Sequence, residues 1–218
     1  MIVGTLFSAI LFGSAAIAQD DECPKYQATP NLLMALEDDA SNGGLTDAEK
    51  DCLESSYAAS QIQTTKDKIS RVLLVNAYAY STQDWAALVR RHLDEVDRSD
   101  PDIAYLYAFY LHNTDGAEAE DIIRWTDVAL ERRDIWTGDV YVSRVYGLMK
   151  LKSVASASAW QAAAEAGEGD EVDNLRNRTK TFAREWVDFA KVAGRDMQES
   201  LDLCLSAATR RKACGLEE

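Results

Sequence analysis

Apolar residues recur at three- and four-residue spacing along most of this chain, and no long alternating β-branched run interrupts them. Ile69, Leu73, Ala77 and Tyr80 share one helical face, and Trp85, Leu88, Val89, Leu93 and Val96 share the next. The pattern predicts an all-α protein, with helices near residues 30–41, 47–61, 66–80, 83–97, 101–113, 117–132, 138–152, 155–166 and 171–192. A last helical segment runs from 196 to about 211. Thr29-Pro30 and Asp100-Pro101 each set a capping residue before a proline at the first helical position. Thr46-x-x-Glu49 reads as a capping box, and Gly43-Gly44, Gly167, Gly169 and Gly194 read as stops. Short connections predict antiparallel neighbours.

Pairs of these helices look like copies of one unit. The first helix of each pair is rich in tyrosine: Tyr78 and Tyr80, then Tyr105, Tyr107 and Tyr110, then Tyr141 and Tyr146. The second carries Trp85, Trp125 or Trp160. Trp125-x3-Ala129-Leu130 and Trp160-x3-Ala164 stand 160 − 125 = 35 residues apart, and Asp100-Pro101 forms a turn between units. On these residues, with Tyr146-Gly147, the segment 66–167 resembles the tetratricopeptide-repeat family and its Sel1-like relatives. It departs at Val96, where a small residue is expected, and at Asp134, where the family prefers proline. The resemblance implies a right-handed stack of antiparallel helical hairpins, an α-solenoid. Residues 19–65 and 168–218 would then be helical caps. It also implies that first helices line a concave face, so that Tyr105, Tyr107, Tyr110, Tyr141 and Tyr146 bind a protein or peptide partner.

Residues 1–18 hold an apolar run without acidic residues, and Ala16-x-Ala18 offers a cleavage site. The expectation is an export signal and a mature chain of 218 − 18 = 200 residues. The protein is then periplasmic if the source is Gram-negative and otherwise secreted, with no stable membrane insertion after cleavage. Formal net charge is −14, which repels phosphate backbones and argues against nucleic acid. A basic protein partner, a cation or simply good solubility remain open readings of that charge, and solubility accounts for it most simply. The runs Arg90-Arg91, Arg132-Arg133 and Arg210-Arg211-Lys212 are read as complements to helix ends.

Four cysteines, an even count in an exported chain, suggest two disulfides. In an elongated stack local pairing is favoured: Cys23 with Cys52, and Cys204 with Cys214. Within one straight helix the second pair would lie roughly 15 Å apart, so the chain must bend back between Ser206 and Ala213. No Cys-x-x-Cys occurs and His92 and His112 are distant in sequence, which argues against zinc.

Residues 38–49 resemble an EF-hand loop, with Asp38, Asn42 and Glu49 as calcium ligands, Gly43 at the turn and Leu45 and Thr46 in register. Ala40 removes one ligand, and helix capping by Thr46 and Glu49 accounts for the same residues. Enzymatic signals are thin. His92 and His112 stand beside no Ser or Cys nucleophile motif, and no phosphate loop occurs, so no catalytic residue and no cofactor are expected. The expected function is a non-enzymatic docking scaffold. A calcium-responsive module at Asp38–Glu49, a structural subunit of an envelope complex and an envelope hydrolase are the alternatives.

Overall fold

The computed structural model describes residues 44–80, 83–167 and 169–217. Every regular element among them is helical. Thr46 opens α1 (Asp47–Ala59) with the expected capping box. After it come α2 (Gln63–Ala79), α3 (Trp85–Glu95) and α4 (Pro101–His112). Next are α5 (Ala119–Glu131), a 3-10 turn at Arg133–Ile135, and α6 (Gly138–Ala166). The chain closes with α7 (Gly169–Ala193), α8 (Gln198–Ala207) and a second 3-10 turn at Arg211–Cys214. The helix expected near 30–41 lies outside the described residues, as do residues 1–18.

The largest departure from the sequence pattern is α6. Residues 138–152 and 155–166 form one continuous helix of 29 residues, where the pattern predicts two joined by a turn. The Lys152–Ser158 stretch offers no proline or glycine to break it, and alanine, the best helix former, fills much of the remainder up to Ala166. Two of its serines are satisfied within the helical run: the Ser153 hydroxyl donates to the Met149 carbonyl, and Ser156 bonds Thr179 on α7 at 2.9 Å. The helix stops at Gly167, whose positive φ forms a left-handed cap. Trp125 and Trp160 therefore do not occupy equivalent hairpin positions. Trp125 is buried midway along α5, and Trp160 shares α6 with Tyr141 and Tyr146. Gly169, expected as part of a stop, is the first residue of α7.

Helices pack on their neighbours in sequence, from α1 on α2 through to α7 on α8, and α6 also touches α4 and α8. One core runs from Leu45 and Leu53 through Ile69, Val89, Ile103 and Trp125 to Leu148 and Ala155. The 65/66 boundary drawn from the sequence falls inside α2, and this core crosses it. α4 is apolar on nearly all sides, as a central helix must be. Its close approach to α6 depends on Gly147, where an added Cβ would lie 3.2 Å from the Phe109 ring.

The chain bends back after α8 as the cysteine spacing demands, and Cys204 and Cys214 are joined with Cα atoms 5.8 Å apart. Both are buried against Ala183 of α7. Cys52 is also disulfide-bonded; Cys23, its expected partner, lies outside the described residues. Cys204→Ser/Cys214→Ser should cost about 3 kcal/mol, the loop-closure estimate for a ring this short. A melting-temperature drop of about 6–12 °C is expected. An unchanged melting curve would remove the staple from the account of stability.

Candidate functional site

Two constellations stand out: a buried polar joint at the start of α4 and a run of aromatic rings from α2 to α5. The joint begins with the Asp100 cap. Its Oδ1 accepts the backbone N–H groups of Asp102 and Ile103, at 3.0 and 3.1 Å. Its Oδ2 accepts from the Arg71 guanidinium of α2 and from His92 Nε2 of α3, the latter at 3.2 Å. His92 Nδ1 meets Ser70 Oγ of α2 at 3.0 Å. Because a carboxylate only accepts, Nε2 donates to Asp100, and Nδ1 shares its hydrogen bond with the Ser70 hydroxyl. Arg71 Nε also donates to Asp67 at 3.0 Å.

Ser, His and Asp in hydrogen-bonded sequence is the set used by many hydrolases. Here Ser70, His92 and Asp100 are 1%, 0% and 1% exposed, so no substrate reaches the hydroxyl. The arrangement can hold α2, α3 and α4 in register. It cannot present a nucleophile without opening the core. Asp67, His92 and Asp100 also bring one ligand atom each to within 4.8 Å of one another, but Arg71 already supplies the cation that bridges both carboxylates.

Asp102, on the same turn, faces the other way. It accepts from the Trp136 indole N–H at 2.9 Å and from Arg144 of α6. Arg144 is held between the Tyr105 and Trp136 rings, with its guanidinium carbon about 5 Å from each. Residues 100–102 thus tie α2 and α3 to α6 through the first turn of α4.

Desolvation pushes the Asp100 carboxyl up, but the bond from His92 and the Arg71 charge outweigh it, so its pKa is held below the ordinary aspartate value. A depressed carboxylate contributes stability that is present above the ordinary aspartate pKa and lost as pH falls through the folded one. Acid unfolding should therefore begin below about pH 4 and shift upward in pH when Arg71 is replaced by Met. A pH–stability curve unmoved by Arg71→Met would contradict this. Sequence reasoning leaves His92, Ser70, Arg71, Asp102 and Arg144 unassigned. A signal exists, since His92 continues the buried stripe of Leu88, Val89 and Leu93 and Ser70 continues that of Ile69, Leu73 and Leu74.

The aromatic run links Tyr78, Trp85, Tyr110, Tyr107 and Trp125, with successive ring centroids 5.6, 4.9, 6.0 and 5.7 Å apart. Trp85, Tyr107 and Trp125 are buried. Tyr78 is 45% and Tyr110 39% exposed, on either side of Trp85. Tyr80, at the end of the same α2, is 44% exposed. The five tyrosines singled out from sequence are not gathered in one place. Tyr107 and Tyr110 stack together. Tyr105 is half-buried against Phe109 and Trp136. Tyr141 and Tyr146 pack on Phe189 and Trp186 of α7, and the Tyr146 hydroxyl donates to the Asp196 carbonyl. Burial raises the Tyr105 and Tyr107 pKa values, so both hydroxyls stay protonated at neutral pH.

The carboxylate of Glu49 accepts the Thr46 backbone N–H at 2.7 Å, which commits it to capping. Asp38 and Asn42 lie outside the described residues. A surface hollow on α5 is lined by Glu120, Ile123, Arg124, Asp127, Val128 and Glu131, all from that one helix. Glu120 and Asp127 there are paired with Arg178 and Lys152. No helix among the described residues is long and apolar enough to cross a membrane. No protein-family model matches the chain, and no curated protein or solved structure is significantly similar to it.

Proposed function

We propose that this protein is an exported, non-catalytic docking scaffold of the cell envelope, with α2/α3 and α4/α5 as tetratricopeptide-like hairpins in a right-handed stack. The observation that carries the reading is the placement of Tyr78 and Tyr110, two large exposed rings braced against buried Trp85. Tyrosine suits a contact surface, since it gives wide apolar area, freezes few rotamers and ends in a hydroxyl. Here the rings are also held in place, which lowers the entropy lost on binding. The binding surface then moves from the five sequence-predicted tyrosines to Tyr78, Tyr80 and Tyr110. Of those five, Tyr110 alone keeps an exposed ring, while Tyr105, Tyr141 and Tyr146 support the packing of α4, α6 and α7.

The burial of Ser70, His92 and Asp100 supports the non-catalytic reading. The pKa of Asp100 moves down, opposite to the shift a general acid needs. Tyr78→Ala/Tyr110→Ala should weaken capture of the native partner from the envelope at least tenfold, with far-UV circular dichroism unchanged. The same capture by the double variant would refute the assignment.

A further inference from the structure

Tyr78 stands in the last turn of α2, Trp85 is the first residue of α3 and Tyr110 stands in the last turn of α4, and their ring contacts bring these three helix ends together. Asp84 directly precedes Trp85, and the α4–α5 connection, residues 113–118, leaves from the Tyr110 end. Asp84, Asp115 and Glu118 are exposed. Asp84 and Glu118 hold the N-cap positions of α3 and α5, yet neither side chain makes a cap bond. The next carboxylates, Glu120 and Asp121, are paired with Arg178 and Arg124, whereas Asp84, Asp115 and Glu118 form no ion pair among the described residues. Between Arg71 and Arg90, and again between Arg98 and Arg124, the sequence has no lysine or arginine, and His112 is the one imidazole in either stretch. Asp121 also acts on Tyr107, the ring stacked on Tyr110, as do Arg90 and Arg124 in the opposite sense.

Elsewhere the chain fills such a combination of ring and carboxylate with an arginine of its own. Arg91 lies over Tyr57 and pairs with Glu54. Arg124 lies over Trp125 and pairs with Asp121. Arg144 lies against Tyr105 and Trp136 and pairs with Asp102. The rings of Tyr78 and Tyr110 carry no cation among the described residues. A second group there is also incomplete: Trp85 is 6% exposed, and its indole N–H has no hydrogen-bond partner among the described residues. Orphaned buried donors are rare in folded proteins, and this one belongs to the ring on which both exposed tyrosines lean.

We propose that this end of the protein takes an arginine-rich segment of its partner, an assignment that rests on the docking surface inferred above. A guanidinium stacks on a tyrosine face and hydrogen-bonds a carboxylate at the same time, the arrangement that Arg91 and Arg144 already show within the fold. Tyr78 and Tyr110 supply the faces, and Asp84, Asp115 and Glu118 supply the carboxylates. The backbone carbonyls of the segment are acceptors of the kind that the Trp85 N–H lacks. The net charge of −14 draws a basic segment in from a distance and repels an acidic one, and the contact weakens as salt rises.

Fluorescence anisotropy of a labelled octa-arginine peptide, titrated with the purified full chain at about 0.15 M salt, tests this. The parent should bind octa-arginine and should not bind octa-glutamate. D84N/D115N/E118Q removes the three unpaired charges and should weaken binding about tenfold, with an unchanged melting curve. D173N/E185Q/E217Q removes as many exposed charges from α7 and the C-terminal turn and should weaken it less than about threefold, because those charges are screened from the aromatic end. Y78A/Y110A should weaken it about tenfold. A parent that fails to bind octa-arginine overturns the proposal, as does an equal loss in the two charge variants or undiminished binding by Y78A/Y110A. Competition separates this assignment from the docking surface itself. Capture of the native partner that octa-arginine displaces supports both. Capture that saturating octa-arginine leaves intact, but that Y78A/Y110A still abolishes, overturns the arginine-rich segment and leaves the docking surface standing.

Discussion

Asp100→Asn should destabilise the protein by about 3 kcal/mol, the lower end of the range for breaking a buried ion pair. An asparagine oxygen can still cap α4, so the loss isolates the charge from the cap. Without the carboxylate, Arg71 keeps Asp67 and partial access to water, which limits the cost. His92 faces a neutral amide in place of a strong acceptor. Asp100→Ala removes the cap as well and should cost about 1 kcal/mol more. Asp100→Asn/Arg71→Met should recover part of the loss, because no uncompensated charge is then left in the core. In thermal melting the asparagine variant should fall by about 6–12 °C. A fall under about 2 °C would mean the joint is not what holds α2, α3 and α4 in register.

The second large effect concerns α6. Val154→Pro should cost about 3 kcal/mol or more, because proline removes the bond to the Lys150 carbonyl and its ring collides with that group. Were residues 153 and 154 a turn before a new helix, proline there would be tolerated or favoured. Chemical denaturation of this one variant distinguishes a single 29-residue helix from a hairpin. A loss under about 1 kcal/mol would restore the turn and, with it, a third repeat unit.

Local chemistry is legible in the chain; long-range pairing is not. Asp100-Pro101 marks the start of α4, Thr46 and Glu49 mark α1, and ten residues between Cys204 and Cys214 demand the bend that is found. Each depends on residues a few positions apart. Continuity of α6 is hidden because Ser153 and Ser156 resemble linker residues, while their hydroxyls are satisfied by Met149 and Thr179. The joint is hidden because Ser70 and His92 are 22 positions apart and meet only once α2 and α3 pack. Tyrosine content identifies a class of surface and not its members. Tyr78 and Tyr80 read in the sequence only as features of a helix, and they prove more exposed than Tyr107. The spacing of Trp125 and Trp160 suggests an equivalence that the uninterrupted α6 removes.

The docking account is tested most directly by site-specific photo-crosslinking in the native host. A benzophenone amino acid would be placed in turn at Tyr78, at Tyr110 and at Val192, an exposed apolar control on α7. The account predicts one discrete protein adduct from positions 78 and 110 and none from 192. Absence of any adduct at 78 and 110, or the same adduct from all three positions, would contradict it.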